Sequence, residues 1–275
     1  MAADLGGDFL GHYRSMAEGI IQGITGEEIK WDEDSPLWDL ALMTYHPDGK
    51  PMLNSSRWFH KDAWLDFNMI ETHRHRDSIY AAVQQDYLLK NPIKPTIMGE
   101  PAYEGEYKPH GISQGIHMRR QAYQTFFARA AGFTYGGFRD KNGNGPLFSP
   151  FKGWEELLNM KGAESMKHLK QFCLENDWPN WTPVHDTLVG DSGKGEFQKV
   201  AVKTSDGKLL VYCPDDPEAT ISVGNILHSD SLKVSWFVAK SGEYSSSFQT
   251  DFDSKEMKFK APADTDDVIL IIAKL

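Results

Sequence analysis

Two carboxylates in this chain have neighbours that suit chemistry. Glu100 closes the apolar run Ile97-Met98-Gly99-Glu100-Pro101, with Tyr103 and Glu104 close behind, and Asp8 follows two glycines in Leu5-Gly6-Gly7-Asp8-Phe9. A charged group set directly after a buried-looking strand is a candidate site residue, and paired glycines let a backbone approach a ligand closely. A pair of carboxylates on different strands of one rim is what glycosidic bond cleavage needs. One, protonated, assists the leaving oxygen, and the other, ionised, attacks or activates water. Each also has a plainer use, Glu100 as a salt-bridged strand end and Asp8 as a helix cap or turn acid.

Other residues could line the same rim. Tyr45 and His46 end a second apolar run, where they could bond sugar hydroxyls or be satisfied by backbone. Glu71, His73 and His75 alternate, so an extended chain puts them on one face, a pattern that tempts a metal assignment. We assign no metal and no cofactor, and give His73 to the substrate. Trp58, Phe59 and Trp64 lie in a loop-rich stretch where aromatic planes stack on sugars, whereas Trp31, Trp38, Trp178 and Trp181 suit packing. Arg119 and Arg120 follow Glu100 on a helix, where one could keep a carboxylate ionised or both could snorkel along the surface.

Elements must hold these residues in place. From residue 40 to residue 137, short apolar runs ending in polar residues alternate with amphipathic stretches, which predicts strand-helix units of a parallel sheet. The strands expected are Leu40–His46, Leu65–Glu71, Pro95–Glu100 and Gly132–Gly136. The helices are Arg76–Lys90, Ile112–Ala131 and Trp154–Glu175, the last broken near Gly162. Ligands of such folds bind at the carboxyl ends of the strands. Arg139–Gly153, rich in Gly, Asn and Pro, reads as a loop. From Lys199 the period becomes two, over Lys199–Lys203, Leu209–Tyr212, Thr220–Val223, Lys233–Phe237, Met257–Lys260 and Val268–Ile272, with a tight turn at Asp206-Gly207. That predicts an antiparallel sandwich and a division of the chain into residues 1–184 and 185–275.

Composition narrows the partners. With 275 residues, 40% hydrophobic and 25% charged, the chain can bury substantial cores and is not wholly disordered. Lys plus Arg total 29 against 39 Asp plus Glu, a net charge of −10, so no basic footprint invites nucleic acid or an anionic membrane. No apolar stretch approaches a membrane span, and the N-terminus shows no export signal. Cys173 and Cys213 could supply one bridge at most.

Several ordered motifs resemble one family. Lys94-Pro95-Thr96-Ile97-Met98-Gly99-Glu100-Pro101-Ala102-Tyr103-Glu104 is similar to the "kPv-GEp-YE" motif of the apiosidase-like (DUF4038) glycoside hydrolases, family 140 and its relatives. Gly6-Gly7-Asp8 resembles their "GGD", Tyr45-His46-Pro47 with Ser55-Ser56 their "HP…SS", and Trp64-Leu65-Asp66-Phe67-Asn68 their "WLDfn". Arg119-Arg120-Gln121-Ala122-Tyr123, Ala131-Gly132-Phe133-Thr134-Tyr135-Gly136 and Lys161-Gly162-Ala163 continue the series into a C-terminal sandwich like the one these enzymes carry.

The resemblance implies a (β/α)8 barrel whose acid/base follows the fourth strand and whose nucleophile ends the seventh. Asp8 then matches the acid/base and Glu100 the nucleophile of a retaining glycosidase, with carboxyl groups roughly 5–5.5 Å apart. Tyr45, His46, Trp58, His73, Tyr103, Arg119 and Tyr135 are the expected substrate contacts. The family carries Gln and His near residues 71–73, so Glu71 departs from it. The substrate expected is a plant or microbial polysaccharide, such as a pectic glycan bearing apiose, and relatives of this kind are secreted or periplasmic. A full barrel takes roughly 250 residues, so this chain is expected to hold its C-terminal half, strands five to eight with the end of strand four. Its uncovered edges predict self-association or completion by a separately encoded N-terminal half. The alternatives are a catalytically inactive carbohydrate-binding protein and a structural fragment.

Overall fold

A computed structural model describes residues 9–48, 54–73, 75–108, 111–137, 154–222, 231–251, 255–261 and 265–275. No element is expected from the sequence before residue 40, yet Phe9–Thr25 forms a 17-residue helix, α1. Its seam repeats every four residues: Phe9 and Tyr13 pack on Tyr45 and Phe59, and Ala17 and Ile21 are buried in the same cluster with Trp38, Trp64 and Leu65. Gly19 and Gly23 weaken the helical signal, and packing outweighs that propensity.

Three parallel strands follow, β1 (Asn68–Glu71), β2 (Thr96–Glu100) and β3 (Gly132–Phe133), in the order β1-β2-β3. Between them run helices α2 (Ile79–Tyr87) and α3 (Gly115–Phe127). Ile70 and Met98 from one face of the sheet are fully buried against Ile79, Ala82 and Val83 of α2 and against Ala128 and Ala130 beyond α3.

The expected Leu40–His46 strand is not one. Pro36–Leu40 is a short 3-10 helix, and 42–48 is extended chain outside any ladder. Backbone and side chain both tie it there: the Asp66 amide donates to the Met43 carbonyl (2.9 Å), the Met43 amide to Asp66 Oδ2 (2.6 Å) and Thr44 Oγ1 to the Phe67 carbonyl (2.6 Å), so the segment still runs beside the approach to β1. The expected helix over 154–175 breaks ahead of Gly162, which falls in the first turn of α4 (Lys161–Glu175).

The C-terminal part is antiparallel. Its large sheet has the order β9-β8-β12-β6-β5-β4, with β10 beside β8, where β4 is Thr182–Pro183, β5 Val200–Lys203, β6 Leu209–Cys213, β8 Ser231–Val238, β9 Glu243–Tyr244, β10 Phe248–Asp251 and β12 Val268–Lys274. A separate pair, β7 (Glu218–Ser222) with β11 (Glu256–Lys260), lays Ala219, Ile221 and Phe259 on one face of that sheet. The turn expected at Asp206-Gly207 joins β5 to β6, with Gly207 at φ 84°.

The period of two fails in β6 and β12, whose residues from Leu209 to Cys213 and from Val268 to Ile272 are all buried. The cause is a second covered face: Val200, Val202, Leu210, Tyr212, Phe237, Ile269 and Ile271 pack on Ala122, Tyr123 and Phe127 of α3 and on Leu169, Phe172 and Cys173 of α4. Strands buried on both faces read as continuous apolar runs. Cys173 and Cys213 are buried free thiols.

Candidate active site

The carboxyl ends of β1 and β2 lie side by side. Pairing runs Asn68 to Thr96, Met69 to Ile97 and Ile70 to Met98, then skips Gly99 and sets Glu71 opposite Glu100. Strict alternation would send Glu100 to the Met98 face, against the helices, because side chains in a strand alternate. The slip turns it instead to the side of Glu71, as β-bulges beside active sites do. A Cβ at 99 would overlap the Met69 side chain, which would have to move to admit it.

Past the ends of the strands, the Glu100 carbonyl accepts from the amides of Thr72 and His73 (3.0 Å each), and His73 takes φ 46° to make that turn. The 42–48 segment brings in His46. Its Nε2 stands 3.0 Å from Glu100 Oε2 and 3.3 Å from Glu71 Oε2, with the two carboxylates mostly covered and the imidazole half-exposed. The hydrogen bond to Glu71, reinforced by the charges of Glu71, Glu100 and Asp48 and opposed by partial burial, raises the His46 pKa above the usual histidine value. Among the described residues these three are the one group of His, Cys, Asp or Glu whose donor atoms gather within 4.8 Å. The alternation of Glu71, His73 and His75 does not gather those three; the group that forms joins Glu71 to His46 and Glu100.

Tyr103 completes the cluster. Burial, then its hydrogen bond to Glu100, raises its pKa, so its hydroxyl stays protonated and donates to that carboxylate. Its ring lies over Gly136, where any side chain would strike it, and the Glu104 amide donates to the Gly136 carbonyl (2.9 Å). Glu104 itself is buried, and its Oε2 accepts from Tyr135 Oη (2.7 Å) and from the Gly162 amide (2.8 Å), which ties the start of α4 to the loop after β2. Burial raises the Glu104 pKa against those hydrogen bonds.

The remaining expected residues fall into two groups. Tyr45 is 6% exposed inside the aromatic cluster, its ring 4.8 Å from Tyr13 and 5.9 Å from Trp58, and burial pushes its pKa up to about 12. Trp58 edges the same cluster. Arg119 and Arg120 are held by partners outside the Glu100 cluster. Arg119, 3% exposed, pairs with Asp267 Oδ1 at 2.7 Å, while Arg120 donates to the Pro214 carbonyl (2.9 Å) and to Asp215 (3.0 Å). Both interactions are with the C-terminal part. Tyr135 is engaged by Glu104. Asp8 lies outside the described residues. Glu71 as a partner of Glu100 is the residue that sequence reasoning missed, and the glycine interrupting β2 was its available signal.

The site can therefore hold one carboxyl group, Glu100, oriented by an imidazole and a phenol at the carboxyl end of a parallel strand. A model of the apiosidase-like catalytic domain matches residues 4–180, and one described as "Putative collagen-binding domain of a collagenase" matches residues 182–273. Two solved structures are similar, each at 25% identity. One is a glycoside hydrolase (TM-score 0.69, 80% of this chain), the other a family 5 glycoside hydrolase from Bacteroides vulgatus ATCC 8482 (TM-score 0.67, 85% of this chain). The chain spans 55% of the length of each. A search of curated proteins returned no significant match.

Proposed function

Because this chain belongs to the apiosidase-like catalytic family, a group of glycosidases, we propose that it cleaves glycosidic bonds with retention, Glu100 attacking the anomeric carbon. The observation that carries this reading is the carboxylate of Glu100 held against His46 and Tyr103 at a strand end. In the first step the Glu100 oxygen bonds to the sugar as the leaving oxygen takes a proton. In the second, water deprotonated by the same acid/base displaces Glu100. Asp8 is our acid/base. Phe9, the residue after it, packs 5.8 Å from the ring of Tyr45, the neighbour of His46. His46, Trp58, His73, Tyr103 and Tyr135 line the substrate side in this reading.

β1, β2 and β3 are then strands six to eight of a (β/α)8 barrel within residues 1–184, the 42–46 segment takes the place of the fifth, and the sandwich of residues 185–275 also takes Thr182–Pro183 as its edge strand β4. The substrate is a plant or microbial polysaccharide, for which a pectic glycan bearing apiose is the first to try. Among the described residues no helix is long and apolar enough to cross a membrane. We place the protein outside the cytoplasm, where such polymers occur.

Glu100→Gln should abolish release of reducing ends from such glycans, and a 2-deoxy-2-fluoro glycoside should label Glu100 in the unaltered protein. Activity that survives the substitution would refute the assignment. Sugar binding without release, unchanged by the substitution, would point to a carbohydrate-binding protein.

A further inference from the structure

We propose that Glu71 is a positioning residue of this site, sharing the His46 Nε2–H with Glu100 and so holding the imidazole between the two carboxyl groups. The inference rests on the reading of Glu100 as nucleophile. Three observations support it. The bulge at Gly99 brings Glu71 and Glu100 into register at the same level, so both reach one imidazole nitrogen, at 3.3 and 3.0 Å. Glu71 is the more enclosed carboxylate, its side chain 12% exposed against 23% for Glu100, so it is the anchor and Glu100 the group open to substrate. And His46 sits on an extended segment without a ladder of its own, so its ring orientation needs a partner across the site.

The charged and titratable groups facing His46 are Glu71 from β1, Glu100 from β2 and Asp48 from its own segment. Tyr103 and Glu106 stand on the far side of Glu100. The hydrogen bond to Glu71 and the charges of Glu71, Glu100 and Asp48 favour the imidazolium, and as the pH rises through the elevated His46 pKa that positive charge is lost from the cluster.

The titration of His46, followed by long-range 15N–1H NMR on the whole chain, tests this without a substrate. Glu71→Gln should lower the His46 midpoint, and so should Glu100→Gln. Where a substrate turns over, Glu71→Gln should lower kcat roughly tenfold to a hundredfold, the worth of one charge-assisted hydrogen bond, with KM little changed and the alkaline limb of the pH profile moved to lower pH. Glu71→Asp should restore part of the loss. If the glutamine variant does not fold, the midpoint in Glu71→Asp decides, and it too must fall below that of the parent. An unchanged midpoint would overturn the proposal, as would activity lost to EDTA and restored by zinc, which would give the cluster to a metal. Activity retained in Glu100→Gln with a lowered His46 midpoint in Glu71→Gln would instead refute the glycosidase reading and leave the Glu71–His46 couple standing.

Discussion

Gly99 governs where Glu100 points, through an absence of side chain rather than through any contact of its own. A methyl group there would overlap the flexible end of Met69, so Gly99→Ala should destabilise the protein by about 1–3 kcal/mol in urea unfolding. It should also lower activity more than stability alone explains, because the slip that turns Glu100 is disturbed. Adding Met69→Ala should recover most of the stability by opening the space, and no recovery would mean that the backbone, not Met69, resists. The sequence showed Glu100 as a strand-end carboxylate and His46 as its candidate neighbour, since both follow from local pattern. It could not show Glu71 at the same imidazole. A period-two reading puts Glu71 with His73 and His75, but β1 ends at Glu71 and the chain turns at His73 (φ 46°), while a single-residue bulge in the neighbouring strand brings Glu100 to its side without altering composition.

At the scale of elements, α3 is the bolt between the two parts of the chain. Arg119 Nε donates to both carboxylate oxygens of Asp267 (2.8 and 2.9 Å) with Nη2 ion-paired at 2.7 Å, and Asp267 also accepts from Tyr212 Oη (3.0 Å), all of it out of water. Removing one partner of such a pair strands a buried charge, so Asp267→Ala should cost about 3–5 kcal/mol in chemical denaturation. The double variant Arg119→Met, Asp267→Leu should recover much of that, and a double variant as unstable as the single would show that the pair itself carries the stability. From sequence, two arginines shortly after a catalytic carboxylate suggest a role beside it. The partner of Arg119 lies 148 positions away, and no local pattern spans that distance. Helix α1 was hidden for a different reason, its two glycines lowering propensity along a seam that tertiary packing secures.

For the whole molecule, the described parallel sheet has three strands, and apolar side chains remain open beside it. Met16, Ile20 and Ile24 along α1 are 40–56% exposed, and Leu42 is 80% exposed. Surfaces of this kind seek cover. We therefore expect the 275-residue chain to self-associate in sedimentation velocity, with the larger species diminished by Ile20→Lys and Ile24→Lys together; a single sharp monomer at all loadings would count against this. The antiparallel C-terminal part was legible because the period becomes two from Lys199. The continuous apolar runs of β6 and β12 were read as ordinary alternation because nothing local reveals a second covered face. That shared face has a consequence for how such chains diversify. A domain that keeps its core to itself can be passed between genes like a bead on a string, but one sheet face here is lined by helices of the other part. Detached, Tyr212, Phe237 and Ile269 would meet water. Recombination that gives this sandwich a new neighbour must also supply new helices, so the two parts should descend together and change in step along that seam.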